Sequence, residues 1–335
     1  MLNFNYAIKL GSVNTVIVKA GEGVQLIEPS LLAVTNDKKP IIRAVGNSAK
    51  KIIGKTDNNI SIIEPIKDGV IVNKYWATAM LKKFLEMINC KNTFKKNNVL
   101  LLTPSSITNE EKNEYINIAY SVGFSYAQIL PSTIPAMVAL EVEEYDTRSH
   151  LLCHLSGGVC DLSVINTGTI INGCTIDLGG KVLDTAIKHY VADNYNVDIR
   201  ENVAEDVKKE LATLLPNDVI DFTVAGINTE TTLHNQITLT SQEIRPLFMD
   251  YFVRVANVIE ALLNSCSPEV VADINKRGIY MFGGLAQVTG ADRFLKNRLN
   301  IPVYVDVDPE NTIINGTTAL LNNPQLLHKL VARLK

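Results

Sequence analysis

The sequence predicts an α/β protein built from two related halves, and three observations carry that prediction. The same strand–turn–strand hairpin occurs twice. It is Ile8-Lys9-Leu10-Gly11-Ser12-Val13-Asn14-Thr15 running into Val16-Ile17-Val18, and again Cys153-His154-Leu155-Ser156-Gly157-Gly158-Val159-Cys160-Asp161 running into Leu162-Ser163-Val164-Ile165. Strand-type and helix-type patterns then alternate along all 335 residues, a length that supports two cores. No low-complexity linker interrupts them, so the halves are expected to pack rather than float. A turn of small residues leaves backbone N–H groups open to an anion, because glycine lets the chain approach a phosphate closely. Two such turns point to a duplicated fold that clamps a nucleotide between its halves. Both lack the acidic residue such a hairpin needs to hold a metal, so the clamp reads as better at binding than at cutting.

Residues 7–19 and 24–34 alternate or run apolar with Val and Ile, which favours strands. Lys38-Lys39-Pro40 marks a turn, and 41–45 resumes a strand. Asp68-Gly69-Val70 is a loop ahead of an amphipathic helix over 74–87, with Trp76, Met80, Leu81, Phe84 and Leu85 on one face. Residues 99–102 form a short buried strand that Thr103-Pro104-Ser105-Ser106 breaks. Thr108 caps the next helix, and Glu111 completes a capping box. Several strands with glycine turns fill 151–178, and helices are expected at 181–195 and 202–215. Ser241 and Glu243-Ile244 open a long helix to about Leu263. A buried strand at 279–282 ends at Gly283-Gly284, a helix follows near 288–299, a last strand covers 302–307, and the remainder is helical.

Composition narrows the functional classes. Hydrophobic residues at 46% and charged residues at 20% suit a globular protein. A net charge of −3 argues against a nucleic-acid partner, which a strongly basic domain would announce. The five cysteines Cys90, Cys153, Cys160, Cys174 and Cys266 contain no C-x-x-C pair and read as reduced, buried thiols. The stretch Met1 to Leu10 has no basic n-region, and no apolar run reaches the ~18 residues that span a bilayer. Two patterns are decoys. Gly54-Lys55-Thr56 imitates the end of a P-loop, but Ala49 stands where the first glycine is required. Asp184 and His189 share a helix without a third metal ligand in sight.

Taken in register, these motifs resemble MreB, the bacterial actin homologue, over nearly the whole chain. Ile8 to Thr15 followed by Glu28-Pro29-Ser30 looks like that family's first phosphate hairpin and the strand after it. Ala44-Val45-Gly46, Pro65-Ile66-Lys67-Asp68-Gly69-Val70 and Thr103-Pro104-Ser105-Ser106-Ile107-Thr108 follow in the expected order. Gly179-Gly180-Lys181-Val182-Leu183-Asp184 and Asn194-Tyr195-Asn196 match the start of its fourth subdomain. Ala204-Glu205-Asp206-Val207-Lys208 resembles its nucleoside-contacting helix. Gly283-Gly284-Leu285-Ala286, Asp308-Pro309 and Asn315-Gly316-Thr317 resemble its adenosine turn and C-terminal helix.

The resemblance implies an actin-like fold, with two RNase-H-like domains, each carrying a smaller inserted subdomain, and ATP in the cleft between them. The implied subdomains are 1–32, 66–145 and 316–335 (IA), 33–65 (IB), 146–179 and 243–315 (IIA), and 180–242 (IIB). It implies nucleotide contacts from Lys9, Gly11, Ser12, Val13, Asn14, Ser156, Gly157, Gly158, Val159, Glu205, Lys208, Gly283, Gly284, Leu285 and Ala286. It also implies membrane-associated cytoskeletal filaments involved in cell shape, a cytoplasmic protein peripheral at the inner face of the cell membrane. The partners would be copies of itself or MreB paralogues, the membrane surface, and a membrane-protein adaptor.

The chain departs from that family where hydrolysis is carried out. The two acids that hold the water shell of Mg²⁺ fall at Lys9 and His154, and the water-positioning Glu falls at Ile134, ahead of Pro135. Val159 and Cys160 replace two threonines. Leu285 replaces the third glycine of the adenosine turn and is expected to narrow the pocket. Two unit charges ~4 Å apart interact by about 4 kcal/mol at an effective dielectric of ~20. A hard divalent cation placed between an ammonium and an imidazole is therefore repelled, and loss of the water-orienting group slows hydrolysis independently. The sequence thus points to ATP held without Mg²⁺, with Lys9 meeting phosphate oxygens directly and no catalytic residue retained. Two alternatives remain open. One is a hydrolysing enzyme rebuilt on Glu64, Asp68 or Asp161; the other is a small-molecule kinase on the same fold. For the membrane, Phe94 beside Lys91, Lys95 and Lys96 suits interfacial insertion, with Leu2 and Phe4 as a second contact. A solvated loop with one packed Phe is the bland alternative.

Overall fold

A computed structural model describes residues 3–53, 59–89 and 97–334 of the chain. The chain divides into two compact units, Met1–Thr147 with Ile165–Thr175 and Asn311–Lys335, and Arg148–Val164 with Ile176–Glu310.

The first unit opens with β1 (Tyr6–Leu10), β2 (Asn14–Lys19), β3 (Gly23–Pro29), β4 (Leu32–Thr35), β5 (Ile42–Val45), α1 (Gly46–Lys50) and β6 (Ile60–Ile63). It continues through β7 (Ile66–Lys67), β8 (Val70–Ile71), α2 (Lys74–Met87), β9 (Asn98–Thr103), α3 (Asn109–Val122), β10 (Tyr126–Pro131) and α4 (Thr133–Ala139). Its main sheet runs β10-β9-β1-β2-β3, antiparallel across β1, β2 and β3 and parallel across β1, β9 and β10. A smaller sheet runs β5-β4-β6. The predicted strands 7–19 and 24–34 are each split by a turn; at the second, the Ser30 N–H extends the β2–β3 register by donating to Val13 O at 2.8 Å before the chain turns into β4. Asn73 caps α2 by accepting from the Trp76 N–H, and that helix buries Ala77, Met80, Leu81, Phe84 and Leu85. Those side chains meet Ile8, Ile17, Tyr115 and Ile118 in one core. Full burial of a side chain of this size contributes about 1.5–3 kcal/mol. The predicted box on α3 forms, with Thr108 accepting from the Glu111 N–H and Glu111 from the Thr108 N–H.

In chain order follow β11 (His150–Leu155), β12 (Cys160–Asn166) and β13 (Thr169–Ile176), the last running from the first unit's share of the chain into the second's. The second unit continues with α5 (Gly180–Tyr195), β14 (Val197–Asp198), α6 (Glu201–Glu210), β15 (Asp221–Asn228), β16 (His234–Thr240) and α7 (Ser241–Asn264). It closes with α8 (Pro268–Arg277), β17 (Ile279–Phe282), a 3-10 turn (Gly284–Gln287), α9 (Ala291–Leu299) and β18 (Val303–Val305). Its strands run β12-β11-β17-β18, with β11, β17 and β18 mutually parallel, and β14-β15-β16 form a separate sheet. Helix α7 buries Ile244, Phe248, Tyr251, Phe252, Val255 and Ile259 at helical spacing. Its capping box uses Thr240, one residue ahead of the predicted opening. The predicted helix 202–215 stops at Glu210, because Thr213 turns away to bridge Thr289 and bond Asp218. The predicted helix 288–299 starts only at Ala291, since Gly290 before it takes φ +82°. The β15–β16 hairpin is absent from the sequence reading; mostly polar, it buries only Val224, Ile237 and Leu239.

The first unit is completed by α10 (Thr312–Leu321) and α11 (Pro324–Arg333). Gly316 lies directly on the backbone of Pro135 in α4, where no Cβ has room. Lys329 pairs with Glu144 at 2.9 Å, and Arg333 donates to the carbonyls of Glu144 and Thr167. Cys153 and Cys160 are buried free thiols as predicted, whereas Cys174 and Cys266 are only half-buried, and Cys90 lies outside the described residues. No helix among the described residues is long and apolar enough to cross a membrane.

Candidate functional site

The first hairpin is braced from outside its own strands. The Gly11 N–H closes the turn on Asn14 O at 3.1 Å, where an added Cβ would sit 2.7 Å from that oxygen. Ser12 Oγ, almost buried, accepts from the Gly69 N–H at 2.9 Å, and Gly69 O accepts from the Tyr115 hydroxyl at 2.9 Å. Thr15 and Ser30 hydroxyls bond at 2.8 Å beneath the turn. These bonds use the turn's carbonyls and hydroxyls and the Gly11 amide. Among the described residues, the Ser12 and Val13 N–H groups at its tip donate to nothing. Lys9 is half-buried and, with Val16, Leu102, Ile313 and Thr317, lines a shallow cavity against α10. Its Cε lies 3.8 Å from where a Gly11 Cβ would stand, so the stem folds back beside the turn.

The second hairpin is braced by a helix end. Ser156 N–H donates to Val159 O at 3.0 Å, and Ser156 Oγ accepts from the Val159 N–H at 3.0 Å. The first amides of α5 take the hairpin's carbonyls, Gly180 N–H to Ser156 O and Lys181 N–H to Gly157 O, both at 2.9 Å. A helix N-terminus has orphan donors, and here the hairpin satisfies the first two. Gly179 makes the junction possible, because a Cβ there would collide with the backbone of Gly157 and Gly158. Among the described residues the Gly157 and Gly158 N–H groups, again at the tip, donate to nothing.

The positions that would hold a metal differ from each other. His154 is 5% exposed and stacks on Phe282, its register partner on β17, with centroids 5.0 Å apart and planes at 9°. Ile134 is fully buried in α4. Cys160 is buried beside Cys153; a hydrogen bond between the thiols, and then burial, push its thiol well up. An ammonium and a stacked imidazole do not make the oxygen donor set that Mg²⁺ requires, so these residues do not fit that ion.

On α6, Lys208 is spent inside its own unit. Its ammonium lies 2.7 and 2.9 Å from the carboxylate oxygens of Asp184 and donates to Gly180 O at 3.2 Å, with both side chains nearly buried. Burial raises the Asp184 carboxyl above its ordinary range, against the pull of Lys208. Glu205 pairs with Lys209 at 2.7 Å. At the turn expected to meet adenosine, Gly283 adopts φ +95° and its N–H donates to Pro309 O at 2.7 Å. Leu285 is buried, 5% exposed.

Other expected residues fall elsewhere. Phe4 is 6% exposed and packs on Tyr126 with ring centroids 6.1 Å apart, so it does not present its ring to a bilayer as expected. Leu2, Phe94, Lys95 and Lys96, and the decoy Gly54-Lys55-Thr56, lie outside the described residues. Of the substitute acids, Asp161 is wholly buried on β12, Asp68 sits in a turn at φ +48°, and Glu64 is half-buried. The sequence reading missed Gly69, Tyr115, Ser30 and Gly179 as braces and Asp184 as the partner of Lys208. The Gly179-Gly180 doublet ahead of a helix was the one local signal available.

Comparison of the whole chain with solved structures defines its class. MreB5 of Spiroplasma citri bound to AMPPNP matches with a TM-score of 0.91 and 28% identity over 98% of each chain. The MamK double helical filament matches with a TM-score of 0.77 at 16% identity, over 94% of this chain and 97% of that one, a likeness of fold alone. The fold is therefore actin-like, as predicted. The MreB/Mbl protein family model matches residues 3–329. The cell shape-determining protein Mbl of Bacillus subtilis (strain 168) is 30% identical over 323 residues, 96% of this chain and 97% of that protein. The chain belongs to the MreB/Mbl family.

Proposed function

We propose that this protein is a filament-forming, nucleotide-binding cytoskeletal member of its family that hydrolyses ATP slowly or not at all. One observation carries the reading. Each unit holds a hairpin whose tip presents two undonated N–H groups, while the two metal-anchoring places carry Lys9 and a stacked His154. Free amides at a glycine-rich turn suit phosphate oxygens, and Lys9, folded back beside its turn, supplies a positive charge where the family resemblance leads one to expect a metal. The solved relative from Spiroplasma citri is bound to AMPPNP and the MamK relative is a double helical filament, which support nucleotide binding and assembly. The four-subdomain division given above is part of the proposal, as is a peripheral place at the membrane through Phe94, Lys95 and Lys96. No observation favours the rebuilt acids or a kinase.

Calorimetric titration with ATP in excess EDTA tests the binding. Heat of binding accompanied by thermal stabilisation is expected; neither appearing would overturn it. A phosphate-release assay tests the chemistry, and brisk turnover with Mg²⁺ that stops on chelation would sink the slow-hydrolysis reading.

A further inference from the structure

The small sheet of the second unit runs β14-β15-β16, which leaves β16 as an edge strand. Its register against β15 is unbroken, from Asp221 beside Thr240 to Ile227 beside His234. In an antiparallel ladder, hydrogen-bonded and non-hydrogen-bonded pairs alternate. The phase is set at both ends, where the Asn228 N–H donates to Leu233 O at 2.9 Å and the Ser241 N–H to Ile220 O at 2.8 Å. Asn235, Ile237 and Leu239 therefore turn their backbone groups toward β15, and His234, Gln236, Thr238 and Thr240 turn theirs outward. Thr240 is spent at the start of α7, where its N–H donates to the Glu243 carboxylate at 2.8 Å. Among the described residues, the His234, Gln236 and Thr238 N–H groups donate to nothing. All three residues are exposed.

An edge strand usually carries a device against stray pairing, such as a charge, a proline or a bulge. In the first unit β5 has one, because Ala33 pairs with Ala44 and Val34 with Ile42, so the exposed Arg43 is bulged. Strand β16 contains no Lys, Arg, Asp, Glu or Pro, and its register shows no shift. One apolar side chain is also left over at its start. Leu233, one residue before the strand, is 67% exposed, although alternation puts it on the face where Ile237 and Leu239 are buried.

We propose that β16 pairs with β16 of a second copy of this chain, antiparallel about Gln236, so that two three-stranded sheets become one. The occupant is a second copy because the strand is complementary to itself. On the two-fold axis Gln236 meets its own counterpart and His234 meets Thr238, and each pair exchanges both of the N–H···O bonds that the open edge leaves unmade. No like charges are set opposite each other. The same register places Leu233 across from Leu239 of the other copy, which gives the exposed leucine an apolar neighbour. A contact that uses one patch on both molecules is isologous and closes as a pair. It stands apart from the filament reading, since two molecules pair this way whether or not filaments form.

The test uses the full chain without nucleotide, followed by sedimentation velocity across a concentration series. The parent should show a monomer–dimer equilibrium. Gln236→Pro removes an outward N–H without taking a bond from the β15 ladder. Gln236→Lys sets two ammonium groups face to face across the axis. Each should weaken the dimer about tenfold. Mixing the Gln236→Lys and Gln236→Glu chains should restore pairing to within about threefold of the parent, because opposite charges then meet. Thermal melting confirms that each variant is folded. A parent that stays monomeric throughout the series would overturn the proposal and leave the edge to a strand from another protein. A dimer that neither Gln236→Pro nor Gln236→Lys weakens uses a different surface, which would overturn it as well. Failure of the folded Lys and Glu mixture to recover would count against it in the same way.

Discussion

The first hairpin is held by hydroxyls and loop amides gathered from distant stretches of its unit, the second by the N-terminal turn of one helix. Ser12 meets Gly69, Gly69 meets Tyr115, and Val13 meets Ser30, so several light bonds share the load. In the second unit, Gly180 and Lys181 hold the hairpin, and α5 itself is tied down at both ends. Lys208 and Asp184 fix its start, and Tyr195 bonds Glu243 of α7 at its finish. Both arrangements leave a pair of tip amides undonated, but they distribute risk differently. Distributed bracing should degrade gradually, whereas helix bracing should fail at single points.

The largest test strikes such a point. Asp184→Asn would leave the Lys208 ammonium buried without its countercharge, a defect that costs about 3–5 kcal/mol. Chemical denaturation should show it, and Ser12→Ala should cost only about 1 kcal/mol by the same measurement. Equal losses from the two would erase the distinction drawn here. Gly179→Ala comes next. Its Cβ meets the Gly157 and Gly158 backbone, which has no side-chain freedom to yield, so about 3 kcal/mol is expected.

A third test separates the two basic positions. Lys9 keeps solvent access while His154 does not. Lys9→Ala should weaken ATP binding in EDTA about tenfold, the loss of one charge-assisted bond. His154→Leu should leave that affinity within about twofold and be felt in melting temperature instead. Matching affinity losses would mean that His154 also reaches the ligand.

The smallest effect concerns the far end of α5. Its hydrogen bond to Glu243 pushes the Tyr195 hydroxyl up to about 12. Burial raises the Glu243 carboxyl, but bonds from Tyr195 and Thr240 outweigh it and hold the group below its ordinary range. A depressed carboxyl contributes stability that is complete above its unfolded-state pKa and lost as pH falls through the folded one. A raised phenol contributes stability that is complete below about 10 and lost as pH climbs toward 12. Tyr195→Phe should remove the alkaline loss and shrink the acid one in melting curves taken across both ranges. An unchanged pH profile would show that the bond does not tie α5 down.

Much of this was legible in the sequence for physical reasons. Strands rich in Val and Ile and the Thr108–Glu111 box announce themselves locally, because propensity and capping act within a few residues. The hairpins were found because their small residues sit beside apolar strands. What escaped depends on distant partners. Nothing near Lys208 says that Asp184, 24 positions earlier, will claim its ammonium. Nothing near Phe4 says that its ring packs on Tyr126, 122 positions later. The β15–β16 hairpin escaped because three buried side chains leave too faint an alternation to detect.

Ile134 has a longer-term implication. It is completely enclosed, so restoring an acid there would trap a carboxyl without water, and such a group keeps its proton instead of ionising. A protonated acid cannot steer a nucleophile. An acid at that spot could ionise only after polar groups first accumulated around it, each without immediate benefit. Once apolar packing has filled such a place, history runs more easily in one direction than the other.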